Sequence, residues 1–172
     1  ISNCSNNYGP FQYPEKLIPL VILNALSNKK LPIYGKGDQI RDWLHVNDHC
    51  IAIKTILKNG IPSETYNIGG LNELQNIDVV KIICIELDKM QPRKDGLKYS
   101  HLIEFVDDRP GHDTRYAIDA TKIKSQLGWQ PSVTFQEGIK RTIEWYLKNS
   151  DWIKSIKTKS YDSWISKNYD ER

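Results

Sequence analysis

Cysteine is scarce: three residues in 172, Cys4, Cys50 and Cys84, widely spaced and without a Cys-x-x-Cys pair. An odd count at such spacing excludes a disulfide framework and a zinc ribbon, and it fits a reducing, cytoplasmic setting. Long apolar runs are also missing. The longest, Leu17 to Leu23, is interrupted by Pro19 and falls far short of the roughly 20 residues of a membrane span. The first residues are polar and uncharged, without the charged-then-apolar order of a secretory leader. Charge of one sign is lacking too, since 24 Lys and Arg face 21 Asp and Glu for a net +3 spread along the chain. So dispersed a balance argues against a nucleic-acid partner, and no membrane partner is expected. The chain opens Ile1-Ser2-Asn3 rather than on Met, which fits either processing or a piece of a longer chain.

What is present is a globular composition, 39% apolar and 26% charged, in a length that suits one domain or a large piece of a bigger one. Ser2 to Tyr13 is polar and turn-rich. Pro14 stands where a helix can start, with Leu17, Leu20 and Val21 at helical spacing up to Asn28, and Pro19 is expected to bend it. Leu31–Tyr34 and Gln39–Trp43 read as strands of a hairpin around Gly35-Lys36-Gly37-Asp38. Asn47 or Asp48 caps a helix to Lys58, and Glu64–Ile68 is a short strand closed by Gly69-Gly70. A helix is expected from about Asn76 to Met90, with strands at Ile103–Val106 and Arg115–Ile118. Asp119 caps a helix that Gly128 ends, and Thr134 with Glu137 opens another through Leu147. Strands and helices mix throughout, which argues an α/β or α+β fold. The remainder, 149–172, reads as a polar tail of weak helical character.

Several chemistries are excluded by pattern. His45 and His49 have helical zinc spacing, but Val46 stands where a metalloprotease places Glu; no metal site is expected. Gly35-Lys36-Gly37 lacks the third glycine of a dinucleotide loop and lies between two strands. There is no Gly-x-Ser-x-Gly. Two polar constellations remain. In Asn6-Asn7-Tyr8-Gly9-Pro10 two amides with donors and acceptors precede a turn. In Asp107-Asp108-Arg109-Pro110-Gly111-His112-Asp113 an Arg, a His and three carboxylates surround a Pro-Gly turn. A guanidinium fork matches phosphate oxygens, so Arg109 and Arg41 are candidates for a diphosphate clamp, against the plainer reading of a solvated loop. Tyr34 and Trp43 suit stacking on a base or sugar, or burial in a hairpin.

Asn3-Cys4-Ser5-Asn6-Asn7-Tyr8-Gly9-Pro10, Pro14-Glu15-Lys16-Leu17-Ile18-Pro19, Arg41-Asp42-Trp43, Tyr66-Asn67-Ile68-Gly69-Gly70 and Asp108-Arg109-Pro110-Gly111-His112-Asp113 follow one another in this order. Together they resemble the C-terminal, substrate-binding portion of the dTDP-glucose 4,6-dehydratases, which are extended short-chain dehydrogenase/reductases. The resemblance runs from Ser2 to about Lys148, the expected nucleotide-sugar-binding portion, with 149–172 as its tail. Arg41-Asp42-Trp43 suggests only the wider superfamily; the Arg-Pro-Gly-His-Asp run followed by Arg115-Tyr116-Ala117-Ile118-Asp119 is more specific.

The resemblance implies an NAD-dependent lyase of deoxysugar biosynthesis that converts dTDP-glucose to dTDP-4-dehydro-6-deoxyglucose and water, and a homodimer in the full-length family. It implies Asn6 at the sugar nucleotide and Asn7 at the nicotinamide side of NAD. Lys16, Leu17, Pro32, Ile33 and Tyr34 would line the nucleotide pocket. Arg41 and Arg109 would hold the diphosphate, with Asn76 nearby and Asp108, Pro110, Gly111 and His112 closing over the nucleotide. The family's glycine-rich cofactor loop, Tyr-x-x-x-Lys pair and Asp-Glu acid/base pair have no counterpart here: no Tyr is followed four residues on by Lys. The N-terminal Rossmann domain is therefore expected to be missing, no catalytic residue is assigned, and the chain alone is expected to be inactive. Without that half, Thr65–Ile68 and the helix before it would leave apolar faces open. Two alternatives stand beside this reading: a non-catalytic nucleotide-sugar-binding module, and a related UDP-sugar epimerase or decarboxylase.

Overall fold

The computed structural model describes residues 1–156. Its strands are β1 (Ser2–Cys4), β2 (Asn6–Tyr8), β3 (Leu31–Tyr34), β4 (Ile40–His45), β5 (Tyr66–Ile68), β6 (Glu73–Gln75), β7 (Ile103–Val106) and β8 (Arg115–Tyr116). Its helices are α1 (Leu17–Leu26), α2 (Val46–Asn59), α3 (Asn76–Met90), α4 (Thr121–Leu127), α5 (Phe135–Lys148) and α6 (Ser150–Ile156), with a 3₁₀ turn at Tyr99–Leu102. The mixed α/β class expected from the pattern is the class observed.

The strands form three small sheets. β1 pairs in parallel with β5, and β3 in parallel with β7. β4 is the hub of the third: its second half pairs in parallel with β2, and its first half lies between antiparallel β6 and parallel β8. The expected hairpin is therefore absent. β3 and β4 belong to different sheets, and the Gly35–Asp38 turn carries the chain from one to the other, with Gly35 and Gly37 both at positive φ. Parallel pairing to strands some 70 residues away wins over the local turn signal. The polar segment at the start also departs from expectation, since it supplies two strands, β1 and β2.

Helix boundaries follow local chemistry. α1 begins at Leu17, three residues after Pro14, and its first hydrogen bond runs from Leu20 N–H to Lys16 C=O at 2.9 Å. Pro19 thus falls in the first turn, where its missing N–H has no partner to lose. α2 is capped by neither Asn47 nor Asp48. The His45 ring accepts from Asn47 N–H at 3.3 Å, while buried Asp48 accepts from Ser132 Oγ at 2.8 Å and from the Ser132 and Val133 amides at 3.0 and 2.9 Å. The Asp119 carboxylate accepts from Thr121 N–H at 2.8 Å, and α4 ends at Gly128 with φ 67°. Thr134 caps α5 as its pairing with Glu137 predicts.

Successive residues of β4 point to opposite faces and feed two cores. Trp43 joins the larger one, between α1, α3 and α5, while Leu44 joins the smaller, with Ala52, Tyr66, Ile68, Ile123 and Trp129. α1 is apolar all round and buries Ile18–Leu23 and Ala25, as a central helix must. α6 adds Ile153 to the larger core; 157–172 of the expected tail lie outside the described residues. α2 buries only Asp48 and Ala52 and exposes Ile51, Ile53 and Leu57.

Candidate functional site

The ends of β2, β3 and β4, the start of α1, the first residue of α3 and the 108–113 loop converge on one cleft of about 410 Å³. Of the residues singled out in the sequence, Asn6, Lys16, Leu17, Pro32, Ile33, Tyr34, Arg41, Asn76, Arg109 and His112 line it. Asp108, Pro110 and Gly111 do not. Asp108 instead braces the loop from outside, and its Oδ1 accepts from the His112 ring at 2.7 Å and from Arg109 N–H at 2.8 Å. Asn7 projects away from the cleft, because neighbours on β2 face opposite sides. Its Oδ1 meets His49 Nδ1 at 2.8 Å and its Nδ2 donates to Ser5 C=O at 3.1 Å. Glu15, Leu20 and Trp43 line the cleft as well. Glu15 was legible only as part of the Pro14–Pro19 motif and Leu20 only as an apolar position of the helix; Trp43 was legible as a stacking candidate.

The Arg41-Asp42-Trp43 triplet divides its labour across β4. Asp42, 2% exposed, faces the Gly70 turn, where Oδ2 accepts from Gly70 N–H at 2.7 Å and Oδ1 from Asn72 N–H at 2.9 Å. Gly70 is required there, since a Cβ would stand 2.0 Å from Trp43 C=O. Arg41 faces the cleft although only 8% exposed. Its guanidinium donates to the carbonyls of Ile40 at 2.7 Å and Asp113 at 2.9 Å. Among the described residues neither Arg41 nor Arg109 forms a salt bridge. Burial lowers the Arg41 pKa; nearby Asp113 opposes that shift and Arg109 adds to it. A buried guanidinium beside a second one, bonded to carbonyls and with Asp113 near but outside salt-bridge distance, is left with charge that an entering anion would offset. A diphosphate has the charge and the oxygen spacing to bridge two such forks.

Other groups suit the same ligand. Asn76 opens α3 with its Oδ1 buried and without a partner, at a helix N-terminus that favours negative charge. The ring of Tyr34 stands edge-on to His112, centroids 6.3 Å apart, so the apolar and aromatic side of the cleft (Leu17, Pro32, Ile33, Tyr34) adjoins its cationic side. No group of three or more metal-ligating side chains exists among the described residues, where His45 caps α2 and His49 meets Asn7. No helix among them is long and apolar enough to cross a membrane. The three cysteines are free.

Comparison with known proteins gives one consistent picture. A family model described as GDP-mannose 4,6 dehydratase matches residues 1–142. A dTDP-glucose 4,6-dehydratase of Escherichia coli is 59% identical over all 172 residues, which cover 47% of that relative. One from Xanthomonas campestris is 56% identical over 160 residues, 93% of this chain and 46% of the relative. The chain thus spans about half the length of the curated relatives it matches. Among solved structures, dTDP-glucose 4,6-dehydratase of Bacillus anthracis in complex with NAD superposes with a TM-score of 0.80 at 51% identity, over 91% of this chain and 47% of that one. The Streptomyces venezuelae enzyme with NAD and TYD bound gives 0.81 at 42% identity, over 91% and 46%.

Proposed function

The chain belongs to the GDP-mannose 4,6 dehydratase family, and from that premise we propose that its cleft is the sugar-nucleotide site of a dTDP-glucose 4,6-dehydratase. The observation that carries the reading is Arg41, a buried guanidinium without a carboxylate partner that lines the cleft together with Arg109. In this reading both clamp the diphosphate, and the unpartnered Asn76 Oδ1 accepts a ligand hydroxyl nearby. Lys16, Leu17, Pro32, Ile33 and Tyr34 hold the nucleoside, the 108–112 loop closes over it, and Asn6 touches the sugar nucleotide from β2. Residues 1–148 form this binding portion.

The role of the chain is to bind and orient. NAD, when bound, supplies the hydride acceptor of the reaction. Asn7 is the candidate to touch it, by giving up the weaker of its two Nδ2 contacts, the one to Cys4 Sγ at 3.4 Å, while keeping that to Ser5 C=O. The described residues do not make an NAD site by themselves, because Gly35 and Gly37 form a strand-to-strand turn and Gly70 packs on β4. The Tyr-Lys and Asp-Glu groups that move protons in the family lie outside these 172 residues, so the chain alone does not turn over. Calorimetric titration with dTDP tests the site. The folded chain binds dTDP more tightly than UDP, and Arg109→Ala costs about 2 kcal/mol, roughly thirtyfold in affinity. No binding by the folded chain, or binding indifferent to Arg109, refutes the proposal, and a preference for UDP turns it toward a UDP-sugar enzyme.

A further inference from the structure

Gln39 lines no part of the cleft, yet it is 4% exposed, an unusual place for a carboxamide. Its Nε2 donates to Asp108 Oδ2 at 3.0 Å and reaches Tyr34 C=O at 3.4 Å. With both neighbours acceptors, this orientation of the amide is the one that satisfies them. Its Oε1 is left buried with no partner, which carries a desolvation cost that the Nε2 contacts must offset. Gly35, at φ 57°, supports the same contact: a Cβ there would stand 2.9 Å from Asp108 Oδ2.

Asp108 passes the constraint on. Its other oxygen accepts from Arg109 N–H and from His112 Nδ1, and both of those residues line the cleft. The far end of the loop is fastened to β4, which Gln39 immediately precedes, since Ile40 N–H donates to Thr114 C=O at 2.8 Å and Arg41 Nη2 to Asp113 C=O at 2.9 Å. Resting on the sugar-nucleotide reading of the cleft, we propose that Gln39 is a positioning residue: by holding Asp108 it sets where Arg109 and His112 stand over a nucleoside diphosphate, and so governs affinity without touching the ligand. The two oxygens of Asp108 divide the work, one facing Gln39 and the other facing the loop. This makes an exchange possible. In a protein carrying both Gln39→Glu and Asp108→Asn, Oδ1 of the new amide still accepts from Arg109 and His112 and its Nδ2 donates to the new carboxylate, at the expense of the weak 3.4 Å contact to Tyr34 C=O. Gln39→Glu alone sets two carboxylates against each other.

The test is calorimetric titration of the full chain with dTDP, with thermal melting as the check on folding. Gln39→Leu weakens binding about tenfold, the effect of losing one hydrogen bond to a charged group. Gln39→Glu weakens it at least as much, and adding Asp108→Asn restores affinity to within about threefold of wild type. In an Arg109→Ala background the Gln39→Leu loss shrinks, because one of the two groups it positions is gone. A purely structural role would leave that loss unchanged. If Gln39→Leu fails to fold, the Glu variant and its Asp108→Asn rescue carry the test. Wild-type affinity in Gln39→Leu, an undiminished loss beside Arg109→Ala, or no rescue overturns this inference while the site reading stands. No dTDP binding by the wild-type chain overturns the site reading, and this inference with it.

Discussion

Asp42→Ala separates the architecture of the cleft from its chemistry. Asp42 is 2% exposed and both oxygens accept backbone N–H groups, from Gly70 at 2.7 Å and Asn72 at 2.9 Å. Hydrogen bonds to a charged group contribute about 1.5–3 kcal/mol each, and the substitution leaves two donors facing a void. The expected loss is roughly 3–5 kcal/mol, a large share of the 5–15 kcal/mol typical of a domain. With a urea m-value of about 2 kcal/mol/M, the midpoint falls by about 2 M. Five tryptophans provide a fluorescence readout for the denaturation curve. Asp42→Asn keeps one acceptor and loses about half as much. Arg41→Ala, one residue away, removes only bonds to carbonyls at a cleft wall, so its midpoint moves far less while its dTDP affinity drops. Equal destabilisation by Asp42→Ala and Arg41→Ala would refute this division of labour along β4.

Three further outcomes follow from local geometry. Gly70→Ala puts a Cβ 2.0 Å from Trp43 C=O and destabilises the chain by roughly 3 kcal/mol or more, read in the same urea titration. His45 caps α2 as an uncharged ring and burial lowers its pKa, as it does for His49. Stability is therefore full above the unfolded histidine value of about 6.5 and declines as pH falls from there through the depressed folded values. Urea midpoints between pH 7.5 and 5.5 record the decline, and His45→Asn, which caps without titrating, reduces the slope. Thr134→Ala removes the α5 cap at a cost of about 1 kcal/mol by thermal or urea melting.

Elements specified by their own residues were legible in the sequence. α3 spans Asn76–Met90 as its apolar spacing predicts, and α4 ends on a left-handed Gly128. The failures are non-local. β1 and β2 are three-residue polar strands whose partners, β5 and β4, lie far along the chain, and nothing in Asn6-Asn7-Tyr8 alone distinguishes strand from turn. Leu31–Tyr34 is a strand as expected, and the strand expected at Gln39–Trp43 runs instead over Ile40–His45. Which strand each one joins was decided by Ile103–Val106 and Asn6–Tyr8, not by the glycine turn between them. His45 displaced Asn47 and Asp48 as the cap because Asp48 is drawn into the Ser132 turn. The cleft shows the same limit. Its cationic groups were found by residue type and resemblance, but that Asp108 braces the loop from behind depends on Gln39, 69 residues away, and only the fold brings them together.

The central claim is that Arg41, Arg109, Asn6 and Asn76 face a single nucleotide. The most direct measurement is a two-dimensional NMR titration of the isotope-labelled chain with dTDP, following arginine Nε–H and asparagine side-chain amide signals. The account predicts saturable shifts of those four residues with one common dissociation constant, while Arg93, in a separate groove with Tyr99 at the other end of α1, stays still. Shifts confined to Arg93 and its neighbours, or none at saturating dTDP, would contradict it.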